Sequence, residues 1–226
     1  MPLFFNPEGP VNTGKHNLPH WQQGEVPIFI TFRLADSLPK AKLDDWKRGK
    51  EQFNENHPKP WDDETQIEYR KQFTDEMEAW LDRGLGECQL RNAEIRLIVA
   101  EALAHFHNAR YYLHAFVIMP NHLHVLLTPI LPHLLADILH SLKSFTSNKI
   151  NKALTRSGPF WMRDYHDRLI RSDKHYYWAQ RYIERNPINL PANTLTLWKA
   201  SESRPSRRQH SNLHPTTAKN HDDAAA

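Results

Sequence analysis

Two spacings of apolar residues alternate along the chain and mark out its elements. Residues 27–34 read PIFITFRL, β-branched and aromatic with polar residues interleaved, and predict a first strand. Over residues 38–87 the spacing turns helical and the composition charged. LDDWKRGKEQF and DETQIEYRKQFTDEMEAWLDRG form two amphipathic segments, parted by the breaker His57-Pro58-Lys59-Pro60 and closed by Gly84 and Gly86. Residues 94–106 set Ile95, Ile98, Val99, Ala102 and Phe106 on one helical stripe suited to packing on a sheet. YYLHAFVIM (111–119) and HLHVLLT (122–128) are rich in strand formers and separated only by Pro120-Asn121, which predicts a hairpin. Residues 134–154 predict a helix with Leu135, Ile138, Leu139 and Leu142 inward, and 160–170 a last strand. Asp173 is then the expected N-cap of a helix running through Tyr182 to Asn186, where Pro187 stops it.

With 38–87 set aside as a two-helix insertion, the order is strand, helix, strand, strand, helix, strand, helix. That order is α+β and suits a ferredoxin-like (split βαβ) antiparallel sheet with an extra C-terminal helix. Residues 1–26, with four prolines among polar residues, read as an extended arm; 27–199 as a single domain; 200–226, poor in apolar residues, as a disordered tail.

Composition narrows the chemistry. The chain has 226 residues, 39% hydrophobic. Its mean hydropathy is −0.71, and it shows neither a run of eighteen or so apolar residues nor a basic-then-apolar start. A cytoplasmic protein without a membrane span is expected. The single cysteine, Cys88, excludes an intrachain disulfide and multi-cysteine zinc modules, so a metal would need His, carboxylate or amide ligands. No glycine-rich phosphate loop or dinucleotide fingerprint is present. Charge is uneven: residues 143–187 hold ten basic against four acidic residues, whereas 40–87 hold nine against thirteen. The insertion therefore reads as a helical flap or partner surface whose negative charge suits DNA poorly, its Trp46, Phe53, Trp61, Phe73 and Trp80 packing among themselves.

His122-Leu123-His124 falls within a strand, so both imidazoles project from one face, a spacing that chelates one divalent cation. Two histidines leave the coordination sphere incomplete. On the last helix Tyr182 and Asn186, four residues apart, share a face and offer a phenol and an amide. A phenol is a poor nucleophile near neutral pH until a proton acceptor or a cation activates it. A metal would polarise a phosphodiester that such an oxygen attacks. A hydrolytic metalloenzyme built on the histidines is disfavoured, since no Asp or Glu follows them closely.

PNHLHVLL (120–127) resembles the HUH motif, His-hydrophobic-His, of single-tyrosine transposases of the smallest bacterial insertion sequences. FWMRDYHDRLIR followed by YIERNP resembles their REP-associated branch, and the likeness runs over about residues 27–190. It implies HUH endonuclease topology and a single-stranded DNA substrate folded as a palindromic hairpin. His122 and His124 become metal ligands, with Mg2+ or Mn2+ the suitable cations, and Tyr182 the nucleophile that links to a DNA 5′ phosphate and releases a 3′-hydroxyl. Asn186 stands where related transposases carry a glutamine as third ligand; it is one methylene shorter. Rejoining by the reverse reaction needs no nucleotide cofactor. The alternative is a domesticated protein that reads hairpins without cutting them. Lys143, Arg163, Tyr165, Arg168 and Arg171, basic and aromatic residues interleaved, are the candidate DNA contacts. Monomer and homodimer both remain open.

Overall fold

The computed structural model describes residues 4–14, 20–58 and 60–201. Its centre is a five-stranded antiparallel sheet. In chain order the elements are β1 (Asn12–Gly14), β2 (His20–Gln22), β3 (Ile28–Arg33), α1 (Lys40–Asn56), α2 (Asp63–Tyr69), a π-helical stretch (Arg70–Asp75), α3 (Glu76–Asp82), α4 (Ala93–His105), β4 (Tyr111–Ile118), β5 (His122–Pro129), α5 (Leu135–Ala153), β6 (His166–Leu169), α6 (Asp173–Arg185) and β7 (Thr196–Lys199). The sheet order is β6-β3-β5-β4-β7. The unit β3-α4-β4-β5-α5-β6 thus places its fourth strand beside its first and its third between first and second, the ferredoxin-like arrangement the sequence order anticipates.

The sheet is covered on both faces. Ile28, Ile30, Phe32, Leu123, Val125 and Leu127 join Ile95, Val99 and Leu103 of α4 and Ile138, Leu139 and Leu142 of α5 in the main core. Leu126, Ala115 and Val117 meet Ala179 and Ile183 of α6 on the opposite face. Covered on both sides, β5 is buried at every residue, its two histidines included.

One irregularity sets which residues of β4 face the site. Pairing with β5 slips between Leu113 and Ala115, leaving His114 as an extra residue. Tyr111 and Leu113 before it, and Phe116 and Ile118 after it, face the main core, so the bulge resets the alternation and turns Ala115 and Val117 toward α6.

Three expectations change in detail. The strand expected over 160–170 contracts to β6, with Trp161 bridged singly to Leu34. The N-cap of α6 is Ser172, whose hydroxyl accepts from the His175 amide at 3.2 Å, and Asp173 becomes the first helical residue. A further strand, β7, unforeseen in the sequence, extends the sheet beside β4. The described part of the N-terminal segment lies on the domain: Phe5 donates to the Ile170 carbonyl at 3.0 Å and His20 meets Asp167 at 2.6 Å. Residues 202–226 of the expected tail lie outside the described residues.

The insertion has its own small core of Leu38, Met77, Trp80 and Leu81. Its aromatic residues pack largely on one another, as expected, Phe53 meeting Phe73 with centroids 5.5 Å apart. Both ends are tied down. Gly86, at φ +87°, brings its Cα so close to Asp36 that a Cβ would meet the Asp36 carbonyl oxygen at 2.6 Å, and the Glu87 amide donates to the Asp36 carboxylate at 2.8 Å.

Candidate functional site

Strand alternation sets His122, His124 and Leu126 on the α6 face of the sheet, with Thr31 directly across from His124 and Arg33 across from His122. The two imidazoles are buried, their ring centroids 5.0 Å apart. Each is held by its Nδ1. His122 Nδ1 donates to Asn121 Oδ1 at 2.8 Å, and that amide is oriented by its own Nδ2, which donates to the Leu85 carbonyl at 3.1 Å. His124 Nδ1 lies 2.7 Å from Thr31 Oγ1. Asn121 Oδ1 can only accept, so His122 Nδ1 is the donor and its Nε2 presents a lone pair, the tautomer a metal ligand requires; Thr31 Oγ1 can accept from His124 Nδ1 in the same way. Burial pushes His124 down to about 3, and burial with the neighbouring imidazole holds His122 well below the usual range, so both rings are neutral at physiological pH.

Helix α6 completes the group. Ile183 is fully buried beneath it, so Tyr182 is presented at its flank, 5.1 Å from the His124 ring between centroids. Phe29 wedges against both rings, at 5.3 Å from His124 and 5.7 Å from Tyr182. Asn186, one turn on, caps the helix and hydrogen-bonds the phenol through its side chain. All four sequence-predicted residues of the centre therefore lie together.

Two buried acceptors here lack partners: His124 Nε2 and Asn186 Oδ1. Orphaned buried acceptors beside a second imidazole are what a bound cation would satisfy, so this donor set fits a divalent ion. Among the described residues no three His, Cys, Asp or Glu side chains gather as a metal cluster. The third donor available to the histidines from α6 is an amide.

Two further groups reach the site from the insertion. Asp82 Oδ1 lies 3.9 Å from His122 Nε2, and Glu78 accepts a side-chain hydrogen bond from Tyr182. Burial first, then these two carboxylates, hold the phenol above its usual range. The acidic insertion thus faces the centre, and the carboxylates that do not follow the histidines in sequence arrive from some forty residues upstream. The available signal was the i, i+4 acidic pair beside the apolar stripe of Met77, Trp80 and Leu81.

The candidate DNA contacts divide. Arg163, Arg168 and Arg171 are exposed. Lys143 instead directs its ammonium at backbone carbonyls, Met162 and Arg163 at 3.0 Å each and Asp164 at 3.5 Å, and burial lowers it to about 8. Tyr165 precedes β6, stacks on His20 at 3.8 Å between centroids and is only 8% exposed. Alternation along the strand expected over 160–170 would put Arg163 and Tyr165 on one face; instead both lie in a loop before β6, pinned by Lys143.

A family profile described as Transposase IS200-like matches residues 89–186, from just after the insertion through the last helix. That match spans 98 of the 226 residues, under half of the chain. The matched segment contains His122, His124, Tyr182 and Asn186, while β3 and the insertion lie upstream of it. No curated protein matches the chain significantly. Among solved structures, a REP-associated tyrosine transposase bound to a REP hairpin is similar at 12% identity and TM-score 0.39, over 77% of this chain and 73% of that one. A putative transposase from Deinococcus radiodurans R1 is similar at 14% identity and TM-score 0.32, over 73% of this chain and 93% of that one.

Proposed function

We propose that this chain is a metal-dependent single-stranded DNA endonuclease and strand transferase of the REP-associated kind, acting in the cytoplasm on hairpin-forming palindromic DNA. The observation that carries the reading is the meeting of one phenol with two neutral imidazoles and an amide, where His124 Nε2 and Asn186 Oδ1 face no protein partner. His122, His124 and Asn186 would hold Mg2+ or Mn2+. Such an ion, when bound, draws charge from the non-bridging oxygens of a phosphodiester. Tyr182 Oη attacks the phosphorus, the bond to the 3′ oxygen breaks, and the products are a 5′-phosphotyrosine and a 3′-hydroxyl. Because the new ester is close in energy to the one broken, a 3′-hydroxyl reverses the step and rejoins a strand. Arg163, Arg168 and Arg171 supply phosphate contacts; Lys143 could join them only by releasing three carbonyls.

The test is covalent capture. Wild-type protein with Mn2+ and single-stranded oligonucleotides from the flanks of its gene should yield a protein–DNA adduct on a denaturing gel, and Tyr182→Phe should yield none while binding the oligonucleotide within about twofold. Adducts surviving in Tyr182→Phe would sink the assignment. Binding without adducts in wild type would favour a hairpin reader that no longer cuts.

A further inference from the structure

Glu78 and Asp82 lie upstream of the matched segment, yet both border the reacting group. One turn apart on α3, they share a face. Three ties set that face over the site: Met77, Trp80 and Leu81 bury in the insertion's core, Asn121 holds the Leu85 carbonyl, and the Glu87 amide is fixed to Asp36. The Asp82 oxygen 3.9 Å from His122 locates the helix independently of Glu78.

We propose that the insertion supplies a catalytic residue, Glu78, which takes the proton of Tyr182 as the phenol attacks. The inference rests on the functional reading above. In the step, the Tyr182 O–H bond breaks and its proton passes to a Glu78 carboxylate oxygen. The phenol oxygen forms the new bond to phosphorus. The bond from phosphorus to the 3′ oxygen breaks with its electron pair on that oxygen, which then takes the proton from Glu78 to become the 3′-hydroxyl. Glu78 returns to its carboxylate, and no other reactant is consumed.

The surroundings suit the role. Tyr182 is faced by Glu78 and Asp82 from α3, by Asn186 from its own helix and by His124 from β5. Glu78 is faced by Tyr182, by Asp75 and Asp82, and by Arg168 on β6. Burial raises Glu78 above the usual carboxylate range, with Asp75 and Asp82 adding to it and Tyr182 and Arg168 opposing, which brings a base nearer its working pH.

The experiment compares wild type, Glu78→Gln, Glu78→Asp and Tyr182→Phe, using Mn2+ and a single-stranded oligonucleotide from the gene's flank. Initial rates of adduct formation are read from pH 6 to 10, alongside oligonucleotide binding by anisotropy and Mn2+ binding by electron paramagnetic resonance. Glu78→Gln should slow adduct formation about 10²-fold at pH 7, leave both binding constants within about twofold, and recover toward pH 10 as hydroxide replaces the lost base. Glu78→Asp, which keeps a carboxylate, should regain part of the rate. Wild-type rates in Glu78→Gln, or a deficit equal at every pH, would overturn the assignment of Glu78 alone. A wild type that forms no adduct would overturn the functional reading with it.

Discussion

His124 does two jobs with one ring: its Nδ1 meets Thr31 and its Nε2 faces the centre without a protein partner. Replacing Thr31 by Val keeps the shape and removes the bond that fixes the ring. Mn2+ affinity, measured by calorimetry, should fall about 10- to 100-fold, the usual effect of losing a group that orients a ligand. Unchanged affinity would mean that packing against Phe29 alone sets the ring. At this scale the sequence is uneven as a guide. His122 and His124 were legible because strand alternation is local, and Tyr182 with Asn186 because helix spacing is local. Thr31 and Asn121 were not, since register and turn geometry decide which groups meet the Nδ1 atoms. Glu78 was hidden for the same reason, its partner lying more than a hundred residues away.

Helix α6 shows what an element adds. Lys174, Trp178, Tyr182 and Asn186 succeed one another at four-residue spacing and form one stripe. Trp178 is 55% exposed and the adjacent Tyr177 54%, large aromatic surfaces left in solvent, Trp178 one turn from Tyr182. In the proposed reaction a nucleobase next to the scissile bond would stack there. Trp178→Ala should weaken oligonucleotide binding by about 1–3 kcal/mol, read by anisotropy, with little change in thermal stability; equal binding would assign the indole elsewhere. The helices and the hairpin were readable from periodicity and from Pro120-Asn121. The boundaries that shifted are those set by single bonds: the Ser172 hydroxyl moves the start of α6, and the slip at His114 flips the faces of β4, an event no alternating pattern announces.

In the molecule as a whole, a positive half built on α5 and α6 works beneath a negative insertion, so charge is partitioned about one centre. Buried imidazoles also make stability depend on pH. Desolvation, helped by His107, lowers His114 to about 4, whereas an unfolded chain returns it to about 6.5. Protons then bind the unfolded state first as pH falls. The contribution of His114 is complete above pH 6.5 and is lost toward pH 4, at up to about 1.4 kcal/mol per pH unit. The melting temperature should drop between pH 7.5 and 5, and His114→Gln should flatten that slope; an equal slope in the variant would remove His114 from the account.

The side chain of Asn121 grips the loop that ends the insertion with one atom and the imidazole of His122 with another. A displacement of Leu85 breaks the first grip and frees the amide to turn, and the ring it steadies loses its set angle. A shift of that loop, wherever it starts, would thereby reach His122 through a single amide.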